Sequence, residues 1–142
     1  MEVLLIEKDP LVRDQVKVGL QQFPDCRVTA GVGHAAINQL RGRKFDCVFL
    51  GVDPRQKDTV KLLHSLRQLD GDIELFVMTP AQNVKDMGVD KSRFDIHSFL
   101  QVPLDLREFF GLVGRFNERL TARPSGGRRQ SSERSRKATP RV

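Results

Sequence analysis

The sequence predicts an α/β fold, a doubly wound, five-stranded parallel sheet with helices on both faces. Two patterns point to it. Short apolar runs alternate with amphipathic segments from Met1 to about Leu120, as in a sheet buried on both sides by helices. Asp-Pro pairs, Asp9-Pro10 and Asp53-Pro54, also follow the first and third of these runs, where a strand would give way to a helix. At 142 residues the chain is long enough for one domain with a real core.

The elements follow in order. Val3–Ile6 is the first strand. Asp9 can cap the next helix, with Pro10 at its first position, where a missing N–H costs nothing. Val12, Val16 and Leu20 recur every fourth residue and give that helix a buried face. Arg27–Ala30 is the second strand. A Gly31–Gly33 turn then leads to a helix with Ala36, Ile37 and Leu40 inward. Asp46–Leu50 is the third strand, and Asp53-Pro54 repeats the cap-and-proline start before a helix buried through Val60, Leu63 and Leu66. Ile73–Met78 and His97–Gln101 are the fourth and fifth strands. Between them, Ala81–Asp95 is charged, contains Gly88 and has poor periodicity, which predicts a short or frayed fourth helix. Pro103 precedes the last helix, with Leu106, Phe109, Phe110, Val113 and Phe116 on its apolar face. Five such units predict the flavodoxin-like strand order 2-1-3-4-5.

Charge divides the chain into a body, residues 1–120, and a tail, residues 121–142. The tail holds seven of the 24 basic residues and one of the 18 acidic ones, so the body keeps 17 of each and is neutral. A reading of the protein as basic therefore describes only its tail. The tail is rich in Arg, Ser, Gly and Pro and lacks a helical pattern, the composition of a disordered segment.

Cys26 and Cys47 lie in apolar, β-branched runs. They read as small buried hydrophobes in a reduced compartment, on strands that the expected order keeps apart. No apolar run of about 18 residues and no leader-like start is present, so a cytoplasmic protein is expected. His34, His64 and His97 are scattered without metal-like spacing. Neither a Ser-His-Asp nor a Cys-His arrangement is present, and Gly31-Val32-Gly33 lacks the rest of a dinucleotide fingerprint. The chain is not expected to be an enzyme or to bind a cofactor or metal.

Ligands of such sheets bind at the carboxyl ends of the strands near the switch point, here strands one and three. Those ends carry Glu7, Lys8 and Asp9, then Gly51 to Asp53, then Thr79, then Val102-Pro103. Across Met1–Leu120 this pattern resembles the receiver domain of two-component response regulators. The resemblance implies particular roles. Glu7 and Lys8 match the acidic pair that holds Mg²⁺, and Gly51 matches the phosphoacceptor aspartate. Asp53 matches the residue that ligates the metal through its carbonyl, and Thr79 the hydroxyl that follows the phosphoryl group. Phe99 matches the aromatic switch, and Val102 the lysine that clamps the phosphoryl oxygens. Pro103, often joined to that lysine by a cis bond in the family, is kept. A glycine cannot act as a nucleophile, an ammonium repels a metal ion, and an isopropyl group cannot clamp phosphate. The resemblance is therefore to a degenerate receiver that cannot be phosphorylated.

Local readings stand beside these. Glu7 is a solvated acid, a partner of Lys8 or, least favoured, a metal ligand, and Lys8 neutralises Glu7 or Asp53. Asp53 is a helix N-cap, or alternatively a displaced phosphoacceptor in a phosphorelay. Thr79 can bond its local backbone.

With chemistry removed, the resemblance leaves the face of the fourth helix, fifth strand and last helix as the surface for protein partners or a homodimer. Phe99, Leu104, Arg107, Glu108, Gly111 and Arg115 are its candidate residues. Arg128, Arg129, Arg134, Arg136 and Lys137 of the tail could attract an acidic partner, nucleic acid or an anionic membrane through screened charge. Without aromatics, the tail is poorly suited to base-specific readout. Ser135 and Thr139 follow basic residues, a context basic-directed kinases use, and a phosphate at either would remove about 1.5–2 units of charge.

Overall fold

The computed structural model describes residues 1–53, 58–80 and 93–122. Its strands are β1 (Glu2–Ile6), β2 (Arg27–Gly31), β3 (Cys47–Gly51), β4 (Glu74–Thr79) and β5 (Ser98–Gln101). They form one parallel sheet in the order β2-β1-β3-β4-β5, as the sequence predicts. The ends differ from the sequence reading by a residue or so, as hydrogen-bonded boundaries usually do. The helices are α1 (Pro10–Leu20), α2 (Gly33–Ile37, continued by a 3₁₀ turn over Asn38–Arg41), α3 (Thr59–Leu69) and α4 (Leu106–Thr121), the last helix.

Alternation along the strands sorts the core into two layers, because successive side chains point to opposite faces. Val3 and Leu5 of β1, Cys47 and Phe49 of β3, and Phe76 and Met78 of β4 pack with Val16 and Leu20 of α1 and Phe109, Val113 and Phe116 of α4. Leu4, Ile6, Val48, Leu50, Leu75 and Val77 pack on the other face with Ala36 and Ile37 of α2 and Leu63 and Leu66 of α3. Phe49 stacks on Phe76 with ring centroids 4.7 Å apart, and Phe116 meets Phe76 edge-on at 5.5 Å.

The capping signals were read correctly at α1. Asp9 is its N-cap, accepting from the Leu11 amide at 2.9 Å, with Pro10 as the first helical residue. They were misread at α3. That helix begins at Thr59 with Asp58 at the cap position. Asp53 lies upstream of that position, and its carbonyl accepts the Thr59 hydroxyl at 3.1 Å. Pro54, the other half of that signal, lies outside the described residues.

The last helix corrects a second reading. Phe109, Val113 and Phe116 are buried, but Leu106 and Phe110 are 48% and 37% exposed, because their positions turn from the sheet toward α1. Val12 of α1, expected to be buried, is half-buried. Cys47 is buried and Cys26 half-buried. Both are free thiols, with β1 between the strands they adjoin, and burial pushes both pKa values up.

Candidate functional site

β1 and β3 are adjacent at the switch point, so their carboxyl ends open onto one cleft. Glu7, Lys8 and Asp9 follow β1, Gly51 ends β3 with Val52 and Asp53 beyond it, and Val102 follows β5. Asp58 and Thr59 at the start of α3 complete one wall. Main-chain bonds fix the rim, with the Val52 amide donating to the Met78 carbonyl at 2.8 Å and the Val102 amide to the Thr79 carbonyl at 2.9 Å. Thr79 is buried, and Val102-Pro103 is a cis peptide.

The centre of the cleft is a contact between Glu7 and Gly51. A Cβ placed on Gly51 would coincide with Oε1 of Glu7 and lie 2.6 Å from its Cδ. The Glu7 carboxylate therefore occupies the volume that a side chain at position 51 would need. Its other oxygen, Oε2, accepts the Asp9 amide at 3.0 Å. Burial raises the Glu7 pKa. The Asp9 amide bond opposes that shift, the Asp9 charge adds to it, and the amide and charge of Lys8 oppose it.

The Lys8 side chain acts on Glu7 through its charge alone. It is exposed, and Glu7 and Lys8 form no ion pair among the described residues, so the expected direct pairing is not made. Glu7 turns instead toward Gly51 and the Asp9 amide, where glycine leaves room and a donor is fixed by the α1 cap. The described residues contain no cluster of three or more His, Cys, Asp or Glu side chains able to hold a metal. The cleft lining thus holds the half-buried Glu7 carboxylate, Asp9, Asp53 and Asp58, the Lys8 cation and an apolar wall of Val52, Met78 and Val102. This set offers no nucleophile at Gly51 and no cation at Val102.

The residues named for partner binding scatter. Arg107, Glu108 and Arg115 are exposed on α4, and Asp105 caps that helix by accepting the Arg107 and Glu108 amides at 2.9 and 3.2 Å. Gly111 lies on the same helix, where a Cβ would stand 3.4 Å from the Arg115 guanidinium. Phe99 is half-buried on β5 against the α2–α3 layer. Leu104 is only 8% exposed and belongs to the core, which corrects its reading as a surface residue. Residues 81–92 and 123–142 lie outside the described residues. The expected fourth helix falls almost wholly there, and Arg128, Arg129, Arg134, Ser135, Arg136, Lys137 and Thr139 lie there too.

Sequence reasoning missed Arg67. It sits on α3, half-buried, and donates to the carbonyls of Phe94, Asp70, Ile73 and Asp95 at 2.7, 3.3, 2.7 and 2.9 Å. It ties α3 to the chain entering β4 and β5. The only signal was a lone arginine on an otherwise apolar helix face.

No family model and no curated protein matches the chain. Solved structures do. The signal receiver domain of an HD domain-containing protein from Pseudomonas fluorescens Pf-5 is 20% identical, with a TM-score of 0.69 over 86% of this chain and 98% of that one. The receiver domain of the sensor histidine kinase PA1611 from Pseudomonas aeruginosa PAO1, solved with magnesium in its active-site cleft, is 18% identical, with a TM-score of 0.65 over 81% and 95%. A protein named for pilus assembly, cpaE of Burkholderia thailandensis E264, is 15% identical, with a TM-score of 0.68 over 83% and 98%. No helix among the described residues is long and apolar enough to cross a membrane. At these identities the likeness establishes architecture, and the chain has the fold of receiver domains.

Proposed function

We propose that this chain is a receiver-type signalling module that has lost phosphoryl transfer and works by protein–protein contact. The observation that carries the reading is the Glu7 carboxylate lying over Gly51. In the receiver resemblance, position 51 is where a phosphoryl group would be attached. Here it has no nucleophile, and an anionic side chain fills the space. Lys8 beside Glu7 disfavours a divalent cation, and Val102 supplies no charge to hold a phosphoryl group. The losses are independent of one another, which argues against a variant catalyst with its acid moved along the chain.

The fold leaves the partner open, since it occurs in a kinase receiver and in a pilus-assembly protein alike. The surface offers the exposed charges Arg107, Glu108 and Arg115 on α4, beside the β5 edge that carries Phe99. The domain would hold one conformation there and act as a constitutive adaptor.

The test is direct. Amide spectra recorded with and without beryllofluoride and Mg²⁺ should coincide at Val52, Asp53 and Thr79, and acetyl phosphate should add no mass. A phosphoryl adduct on Asp53 would replace this reading with the displaced-acceptor one.

A further inference from the structure

The amino end of the sheet is chemically the reverse of the Glu7–Gly51 cleft. A groove opens there between the starts of β1 and β2 and the loop that enters β3. Arg27, Arg43 and Lys44 line it, and Glu2 is the one acid in the lining among the described residues. Glu2 holds both arginines, Arg27 Nε at 2.7 Å and Arg43 Nη2 at 3.6 Å. The Arg43 guanidinium also lies over the Phe45 ring, 4.8 Å from its centroid. Asp46, the next acid along the chain, accepts the Glu2 amide at 2.7 Å. Three cations therefore face one carboxylate, and the groove keeps a positive excess.

Exposed cations are usually a solvated face. Here two of them share a carboxylate and are held in place before a ligand arrives, which lowers the ordering cost of binding. Planar guanidinium groups match phosphate oxygens. Gln21 and Thr29 add neutral donors of the kind that meet phosphate and sugar. Among the described residues no aromatic ring lines the groove, and its apolar members Cys26 and Val28 are half-buried. Base stacking and insertion into a membrane surface both need what this lining lacks.

The largest positive excess of the chain follows at the same end. Helix α4 runs toward it, since Arg119 Nη2 meets Nε2 of His97, the residue before β5, at 2.9 Å. Leu120 packs in the cluster that holds Met1. The tail comes next in the chain, with seven basic residues and one acid. A groove of fixed guanidinium groups and a basic segment that starts from the same end suit a long polyanion better than a single small anion.

We propose that the Arg27–Arg43–Lys44 groove docks the phosphodiester backbone of nucleic acid, without reading its bases. The groove lies at the far end of the strands from Gly51. Its failure would leave the receiver-type reading standing.

Fluorescence anisotropy of a labelled DNA duplex, titrated with the full chain at about 50 to 200 mM salt, tests the assignment. Affinity should fall as salt rises. Arg43→Gln with Lys44→Gln, both at exposed positions, keeps most of the side-chain bulk and removes two cations. It should weaken binding at least about tenfold and make the salt slope shallower by about 2. Lys61→Gln with Arg93→Gln removes the same charge from exposed positions on the α3 side. That pair should weaken binding by less than about twofold, since salt screens distant charge. No binding at the lowest salt overturns the proposal, as does an equal loss in the two double variants, which would leave only net charge or the tail. Polyglutamate or phosphatidylserine vesicles bound as tightly, with the same dependence on Arg43 and Lys44, would overturn it in favour of an acidic protein or a membrane.

Discussion

The Glu7 carboxylate and Gly51 share a single side-chain volume at the switch point of the sheet. Either residue can fill that space, but not both. Gly51→Ala therefore has to drive Glu7 outward, and because Glu7 is a flexible side chain the cost is small, within about 1 kcal/mol. The signature is local. The Asp9 amide loses its acceptor, and its hydrogen exchange should quicken while Leu11, bonded to the Asp9 side chain, stays protected. Unchanged exchange at Asp9 would mean that Glu7 does not rest over the glycine.

Glu7 also predicts a pH dependence. Burial raises its pKa, so the folded state holds the proton more tightly than the unfolded chain. The stabilising contribution is complete below the unfolded value, about pH 4.3. It is lost as pH rises through the higher folded value. Glu7→Gln keeps the acceptor for the Asp9 amide and removes the titration. Denaturant unfolding at about pH 4 and pH 7 should show wild type losing stability relative to Glu7→Gln with rising pH. A gap of constant size would contradict the burial of the carboxylate.

Much of the fold was legible because its signals are local. Alternation in Val3–Ile6 and Asp46–Leu50 assigns residues to faces, and Asp9-Pro10 starts a helix by backbone chemistry alone. The site was legible only as a set of positions. That Gly51 follows the third strand can be read along the chain. That Glu7 fills the space above it depends on a side chain crossing from one strand end to the next, which nothing in residues 5–9 specifies. Asp53 misled because Asp-Pro is a statistical start signal, and the bond from the Thr59 hydroxyl to its carbonyl could not be read from it. Arg67 was passed over, since two of its acceptors, the Phe94 and Asp95 carbonyls, come from a segment far along the chain.

Arg67 carries the third prediction. Its guanidinium satisfies four carbonyls from the chain around Asp70–Ile73 and Phe94–Asp95. Arg67→Met keeps the apolar stem but strands those acceptors. It should destabilise the domain by about 3 kcal/mol in chemical denaturation. Arg67→Lys should recover less than half of that, because one ammonium cannot reproduce the planar fork. Full recovery by lysine would show that only charge matters there.

The last prediction concerns how closely α1 and α4 approach. A Cβ on Gly19 would stand 2.6 Å from Cε2 of Phe109 and 3.3 Å from Cδ2 and Cζ. Phe109 is fully buried and its ring lies 6.0 Å from that of Phe49, so it has little freedom to yield. By helix propensity alone, Gly19→Ala should stabilise α1 by about 1 kcal/mol. Overpacking of this kind costs about 1–3 kcal/mol, so a net loss is expected. Phe109→Leu, which removes the ring, should make the same alanine neutral or favourable. The double-mutant cycle should therefore give a coupling of at least about 1 kcal/mol. Additive effects would mean that the two helices do not meet at Gly19.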